Sequence, residues 1–438
     1  MSLEIVIWSE LSATERRAML RRPALQSDAL VRRRVSRIID KVRESGDAGL
    51  REITRQIDGV DIDRFRVSDD EFDRAEAGLS AAAIGAIDLA ISNVTRFHEK
   101  QLPAPLDVET MPGIRCERLS RPIDSVGLYV PAGSAPLPSA AIMLGVPAAI
   151  SACPQRVMCT PPRPSGHADS AVLVAARRSG VSSVFKIGGA QAIAAMAFGT
   201  VSVPKVDKIF GPGNAWVTVA KTLVSSDPLG AAIDMPAGPS EILVIADETA
   251  NAEYVAADLL SQAEHGEDSQ VILITTSRPL AENIGRQVAD QLIWLERREI
   301  VEQALANSRS IVAPDLETAL EISNRYAPEH LIIQTRRPRE ALPYVRNAGS
   351  VFLGPWSPES AGDYCSGTNH VLPTYGFARS YSGLGVEQFM RQMTVQELTE
   401  EGLRTIAPAI TELARLEGLD AHAEAVRRRI RAREETAA

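Results

Sequence analysis

The feature that most constrains this chain is a texture beginning near Val126, where short apolar runs are separated by segments of helical period. GLYVP, RVMCT, VFKI and KIFGPG form one series, and EILVIA, QVILIT, SIVA, EHLIIQ and SVFLG form a second. Runs this short, alternating with helices, read as buried strands of a parallel sheet, because parallel neighbours need a crossover and the crossover helices cover both faces. The two series flank MPAGPSE. The expected fold is therefore α/β, with two doubly wound, Rossmann-like parallel-sheet domains, a crevice between them, and small helical extensions at the N- and C-termini.

Two amphipathic helices are expected before the first series. Ser27 to Ser45 places Val31, Val35, Ile38 and Val42 at i, i+4, i+7 and i+11, and Ser80 to Gln101 repeats the idea with Ile84, Ile87, Ile91 and Val94. From about Gly385 the chain reads as helical and highly charged, with Met393, Leu398 and Leu413 as anchors and a solvated end, VRRRIRAREETAA. At 438 residues the chain exceeds what one core usually covers. The expected division is an N-terminal helical segment 1–27, a first α/β domain of 28–130 plus 240–384, a second α/β domain 131–239, and a C-terminal tail 385–438. No internal repeat is evident from the residues alone.

A net charge of −9 offers no basic field for a phosphate backbone, so nucleic acid is not expected as a partner and small molecules are. The longest weakly polar run, SAAIMLGVPAAISA, is too short to span a bilayer and is broken by Gly145 and Pro147. The N-terminus has no basic start followed by a long apolar core, so a cytoplasmic protein without membrane contact is expected. Cys116, Cys153, Cys159 and Cys365 lack paired metal-type spacing and read as reduced thiols.

Several segments carry candidate chemistry. In LLSQAEHGEDS, Gln262 and His265 lie three apart, so an amide oxygen and an imidazole nitrogen can converge above one helix end and hold a metal. On spacing alone the competing reading is favoured: His265 caps the helix and Gly266 takes the left-handed turn, since the stretch supplies no further ligand. KIGGAQAIAAMAFG and KIFGPGNAW are each a strand running into glycines and a helix, which suits either a tight turn or backbone amides meeting a diphosphate. Gln191 and Asn214 open these helices. The G-x-G-x-x-G fingerprint is missing.

RYAPEHLIIQ sets Glu329 beside His330 at the entry to a strand. Neighbouring strand residues face opposite ways, so both serve one site only if the backbone bends, and Pro328 favours a bend by forcing Ala327 out of helical geometry. SPESAGDYCSGTNHVLPTYG offers Asp363 as a metal ligand or a turn-closing carboxylate, and Cys365 as a thiol with no basic neighbour to activate it. His370 is expected to order this loop through hydrogen bonds. In RLEGLDAH, His422 reads on its own as an exposed helix histidine, near Glu417. His98 and His167 read as surface residues.

Taken together, GLYVPAGSAPLPS, KIGGAQAIAAMAFGT, FGPGNAWV, AGPSEILVIAD, DLLSQAEHG, YAPEHL, NAGSVFLG, SAGDYCSGTNHVLPTYG, MTVQELT and LEGLDAH resemble the histidinol dehydrogenases over nearly the whole chain. Departures are small: Ala132 replaces a common glycine, and Cys365 sits where the family chemistry needs no thiol. The resemblance implies one zinc ion per subunit, held by Gln262, His265, Asp363 and His422, the last supplied by the partner of an intertwined homodimer with shared active sites. It places the metal and catalytic residues in the first α/β domain, NAD on the second, and an exchanged tail at 385–438. Glu329 and His330 correspond to the acid/base pair. Substrate contacts fall on Ser240, Gln262, His265, His330, Asp363, Glu417 and His422, and NAD contacts on Tyr129, Gln191 and Asn214.

The implied activity is the NAD-linked, four-electron oxidation of L-histidinol to L-histidine via bound L-histidinaldehyde, the last step of histidine biosynthesis. His330 would accept the hydroxyl proton and Glu329 would activate water for the aldehyde step. The competing enzyme reading is a related zinc and NAD dehydrogenase acting on another alcohol, such as a sulfonated diol. Glu417 favours the cationic amino-imidazole of histidinol, since a sulfonate would call for Arg or Lys. A catalytically silent metal or nucleotide binding module is the reading from another class, and an intact Glu329 and His330 speak against it.

Overall fold

The computed structural model describes residues 3–22, 29–132, 135–235 and 238–434. The chain opens with strand β1 (Glu4–Ile7) and helix α1 (Ala13–Met19). Next come α2 (Ala29–Ile57), α3 (Asp69–Ala77), α4 (Ala81–His98), and a hairpin of β2 (Leu106–Met111) and β3 (Ile114–Pro122). The first α/β series runs β4 (Ser125–Tyr129), α5 (Pro138–Ile150), β5 (Gln155–Thr160), α6 (Ser170–Arg178), β6 (Ser183–Lys186), α7 (Gly189–Phe198), β7 (Lys208–Phe210), α8 (Ala215–Ser225) and β8 (Ala232–Ile233). The second begins with β9 (Glu241–Ala246), α9 (Ala252–Ala263), β10 (Gln270–Thr275), α10 (Arg278–Leu292), α11 (Arg298–Ala306) and β11 (Arg309–Val312). It continues with α12 (Leu316–Tyr326), β12 (His330–Gln334), α13 (Pro338–Ala341), β13 (Ser350–Leu353) and α14 (Glu359–Tyr364). Strand β14 (Met390–Leu398) and helices α15 (Glu400–Leu416) and α16 (Asp420–Glu434) follow.

The chain divides into two compact units, Met1–Gln101 with Ile123–Phe389, and Leu102–Pro122 with Met390–Ala438. The first unit holds two parallel sheets, a five-stranded one in the order β6-β5-β4-β7-β8 and a six-stranded one in the order β1-β11-β10-β9-β12-β13. When the strands of each α/β series are counted from its own start, both sheets read 3-2-1-4-5. The order reverses between β4 and β7 in one and between β9 and β12 in the other. Both are doubly wound, and the strands of the two series lie where runs were expected, except the two-residue β8, for which no run was expected. Helices cover both faces, which is why apolar residues run consecutively instead of alternating: Ile242, Leu243, Val244 and Ile245 of β9 are all fully buried. Each such side chain contributes about 1.5–3 kcal/mol of burial free energy.

Several expectations are corrected. Residues 1–27 are not simply helical, because β1 adds a parallel strand beside β11; Pro23 to Ser27 lie outside the described residues. The helix expected from Ser27, itself outside them, continues to Ile57 across a kink at Gly46, whose φ of +51° suits glycine. Its buried stripe is Val35, Ile39, Val42, Leu50 and Ile53, and it packs with Ile193, Ala197, Val217 and Val224 on the flank of the five-stranded sheet. Ile87 and Val94 of α4 join Val126, Leu144 and Val172 in a core cluster of the same sheet. The apolar stripes of these helices thus share clusters with strands and helices of the five-stranded sheet, joined around α4 by Val371, Leu384 and Phe389.

The region from Gly385 is not wholly helical. Strand β14 pairs antiparallel with all nine residues of β3, and β2 completes a three-stranded sheet in the second unit. MRQMTVQEL has no continuous apolar run, so the strand was invisible without its partner hairpin. Met393, Leu398 and Leu413 are exposed rather than anchoring, and the buried residues of α15 are Gly402, Ala407 and Ala414. No single helix among the described residues is long and apolar enough to cross a membrane.

Candidate active site

The main cluster of ionisable groups lies at the amino ends of β9 and β12, where His330 pairs in register with Ile242. Helix α12 stops at Ala327, whose φ of +55° is left-handed, and Pro328 follows. That bend brings the neighbours Glu329 and His330 into one site, with Glu329 Oε2 3.7 Å from His330 Nδ1. Glu241 clamps both through its backbone: its amide donates to Glu329 Oε2 at 2.9 Å and its carbonyl lies 3.2 Å from His330 Nδ1. The Glu241 carboxylate is itself held by Arg22, at 2.6 and 3.1 Å. A carbonyl can only accept, so His330 carries its hydrogen on Nδ1 and presents the lone pair of Nε2. Nε2 is buried with no hydrogen-bond partner, 3.8 Å from Asp363 Oδ1. Burial lowers the His330 pKa to about 4, against the opposing pull of the Asp363 charge, so the ring is neutral near pH 7. Burial pushes the Glu329 carboxyl well above its usual range.

Gln262 and His265 come from the end of α9, which runs back along the sheet and so finishes near the amino ends of the strands. Gln262 is fully buried, and neither its amide oxygen nor its amide nitrogen has a hydrogen-bond partner. An orphaned buried amide costs about 1–3 kcal/mol per group, so its persistence points to an absent partner. His265 Nε2 lies 3.8 Å from Asp363 Oδ2 and 3.9 Å from Glu359 Oε1. One ligand atom from each of His265, Glu359 and Asp363 falls within 4.8 Å of the others, a nitrogen and oxygen donor set of the kind a zinc ion takes. The expected left-handed turn at Gly266 is not formed; α9 ends with Glu264 in ordinary helical geometry.

Glu359 escaped the sequence reading. It stands four residues before Asp363 on the short helix α14, so both carboxylates share a face; that spacing was the available signal. Glu359 is fully buried, accepts from Ser261 Oγ at 2.9 Å, and is pushed up to about 9 by burial and then by the Asp363 charge. The His370 ring hydrogen-bonds the backbone of its own residue, while its Nε2 is buried without a partner. Asn369 ties the same loop to α5, donating to the Met143 carbonyl at 2.8 Å. Cys365 is half-buried at the end of α14, its carbonyl accepting from Asn93 at 2.9 Å. His98 is corrected to a buried residue, with Nδ1 2.8 Å from the Val94 carbonyl, whereas His167 is exposed as expected. Ser240 immediately precedes β9 and is half-buried. Glu417 and His422 are exposed residues of the second unit.

Behind the cluster, burial pushes the Asp258 carboxyl up to about 7, opposed by hydrogen bonds from the Glu359 amide and from Gln334 Nε2 at 3.1 Å. A raised acid favours the fold while protonated. Its contribution is complete below the unfolded value near pH ~3.9 and is lost as pH rises through about 7. Asp258→Asn is therefore expected to stabilise the protein at pH 8 by roughly 1–4 kcal/mol and to change little at pH 4. Thermal melts at both pH values check this, and a lower midpoint at pH 8 would contradict it.

The candidate cofactor residues gather at the carboxyl ends of the five-stranded sheet. Tyr129 ends β4, and its hydroxyl accepts from the Gly189 amide at 3.0 Å. Gln191 is fully buried; its Nε2 lies 3.4 Å from Asp58 Oδ2 and its Oε1 has no partner. Burial raises the Asp58 carboxyl to about 6. Asn214 caps α8, accepting from the amides of Trp216 and Val217 at 3.1 and 3.2 Å. Both β4 and β7 border the reversal of strand order, the position where such sheets bind ligands. The turn before Asn214 is tightly fixed: Gly211 has φ +122°, and a Cβ there would lie 2.2 Å from the Tyr129 carbonyl oxygen. The nearly fully buried pair Lys221 and Asp234 grips that turn, Lys221 donating to the Gly211 carbonyl at 2.9 Å and Asp234 accepting from the Gly211 amide at 2.8 Å. Lys221→Met leaves a buried carboxylate unpaired and is expected to cost about 3–5 kcal/mol in denaturant unfolding; a loss under ~1 kcal/mol would show the pair to be dispensable.

A family model for histidinol dehydrogenase matches residues 20–430. The histidinol dehydrogenases of Vibrio vulnificus (strain CMCP6) and Vibrio cholerae are each 54% identical over 428 residues, covering 98% of this chain and 98% of theirs. The crystal structure of histidinol dehydrogenase from Elizabethkingia anophelis superposes with a TM-score of 0.95 at 44% identity, covering 99% of both chains. With the family model spanning most of its length, and both sequence and fold agreeing, the chain belongs to the histidinol dehydrogenase family.

Proposed function

We propose that this chain catalyses the NAD-linked, four-electron oxidation of L-histidinol to L-histidine through bound L-histidinaldehyde. The reading rests on one observation above the others: a buried imidazole nitrogen without a partner, His330 Nε2, facing a carboxylate that belongs to a metal-type cluster. Gln262, His265 and Asp363, with His422 of the partner subunit, hold one zinc ion per subunit. When bound, zinc supplies a Lewis acid beside the substrate and NAD supplies the hydride acceptor for each oxidation.

His330 takes the proton of the substrate hydroxyl on Nε2 as the carbon is oxidised. Glu329 then accepts a proton from the water that adds to the aldehyde carbon, and His330 accepts the hydroxyl proton of the resulting hydrate. A carboxyl raised by burial is a stronger base once ionised, which suits Glu329 to this task. Glu241 fixes the ring tautomer and holds Glu329 in place. Ser240, Gln262, His265, His330 and Asp363, with Glu417 and His422 of the partner subunit, would contact the substrate, while Tyr129, Gln191 and Asn214 would contact NAD. The work is done in the cytoplasm.

Purified protein mixed with limiting L-histidinol and excess NAD tests the reading by absorbance. Two NADH per histidinol are expected, and one would favour a simple alcohol dehydrogenase. Shared sites in a homodimer are tested by mixing a His422→Ala chain with a His330→Asn chain. Reciprocal sharing puts both lesions into one site and leaves the other intact, so mixed dimers recover about half the parental activity per dimer. Activity no higher than that of the two separate variants would exclude exchange.

A further inference from the structure

The six-stranded sheet has a second edge that the cluster around His330 does not use. In open α/β sheets, ligands bind outside the carboxyl ends of the strands where the strand order reverses. Here that point lies beyond the ends of β9 and β12, whereas His330 and Glu241 stand at their amino ends. A crevice of about 720 Å³ occupies the carboxyl edge, walled by the residues that follow β9 and β12, by α12 and by the segment through Arg346. Small-molecule sites typically measure about 300–1,000 Å³. We propose that this crevice is a separate binding site for a mononucleotide.

The lining supplies a counterpart for each part of such a ligand. Thr335 is only 7% exposed, yet its hydroxyl has no hydrogen-bond partner. The Arg346 guanidinium makes no ion pair among the described residues; only its backbone amide is bonded, to Asn324 at 2.7 Å. Arg337 is joined to Glu340 alone, at 3.3 Å on the surface. These three groups receive a phosphate, which arginine binds through parallel hydrogen bonds. Glu340, Glu321 and Asp247 already serve Arg337, Arg325 and the Arg336 amide, so Glu317 is the carboxylate left to accept ribose hydroxyls. Tyr344, 64% exposed, offers an aromatic face for a base, and the buried Leu320 adds apolar surface to the lining. Four carboxylates on the lining favour a monophosphate over a polyphosphate.

Photolabelling of the full chain with 8-azido-AMP in the presence of saturating NAD, followed by peptide mapping, tests the proposal independently of the catalytic reading. The label is expected on peptides from Thr335 to Arg346, to survive excess NAD, and to fall about tenfold in Arg346→Ala and in Thr335→Val. Thr335 and Arg346 lie past the carboxyl end of the strand that His330 begins, so NAD-linked histidinol oxidation without added AMP stays at the parental rate. Thermal melts confirm that each variant is folded. Label found only on peptides carrying Tyr129, Gln191 or Asn214 and chased by NAD, label on the crevice unaffected by either substitution, or no label at all would each overturn the proposal.

Discussion

His330→Asn is expected to slow both oxidations by about 10²- to 10⁴-fold, the usual worth of a positioned general base. The imidazole is buried, neutral near pH 7 and fixed by Glu241, so its free Nε2 is poised to accept a proton. An asparagine at this site keeps a polar group against the Glu241 carbonyl but supplies no basic nitrogen. Single-turnover NADH formation from histidinol and from supplied histidinaldehyde measures the two steps separately. Glu329→Gln provides the contrast, because it preserves the hydrogen bond from the Glu241 amide while removing the base that activates water. It is expected to slow chiefly the aldehyde step. Rates for His330→Asn within twofold of the parent, or unchanged aldehyde oxidation in Glu329→Gln, would remove these roles.

Gln262→Leu is expected to move metal affinity and stability in opposite directions. The native amide is fully buried with both polar atoms unpartnered, a cost that makes sense only if a ligand fills the space beside it. A leucine has similar bulk and no polar atoms, so the metal-free protein gains roughly 1–3 kcal/mol while zinc affinity falls on the order of 10²-fold. Zinc affinity is read by competition with a chromophoric chelator, and stability by denaturant titration of the chelated protein. An ordinary packing role predicts the opposite pattern, a less stable protein with zinc affinity intact, and that result would sink the assignment.

The parts of this molecule that were legible beforehand share one property: their signal is local. Buried strands such as EILVIA and QVILIT announce themselves because both faces are covered, and the bend at Ala327 followed from Pro328. Where stabilisation depends on a distant partner the residues gave no warning. Strand β14 exists because the hairpin of β2 and β3 offers it nine pairing residues, although its sequence has no apolar run. The stripe of helix α2 is legible in the sequence but its partners are not, because an apolar stripe specifies that a face is buried and says nothing of what buries it. Glu359 was passed over, since a carboxylate next to Ser360 looks solvated until Ser261 and His265 are brought against it.

The candidate site divides along the same line. Family resemblance in the ordered blocks named Gln262, His265, Asp363, Glu329 and His330, and periodicity assigned two doubly wound sheets. Only the folded chain revealed that the two sheets repeat one strand order, that the cluster around His330 occupies the amino edge of its sheet, and that the carboxyl edge is left open as a crevice. The physical reason is the range of the forces involved. Hydrophobic period and turn chemistry act over a few residues and are written in consecutive letters, whereas desolvation, ion pairing and the orphaning of a polar atom depend on groups that folding brings together from far along the chain.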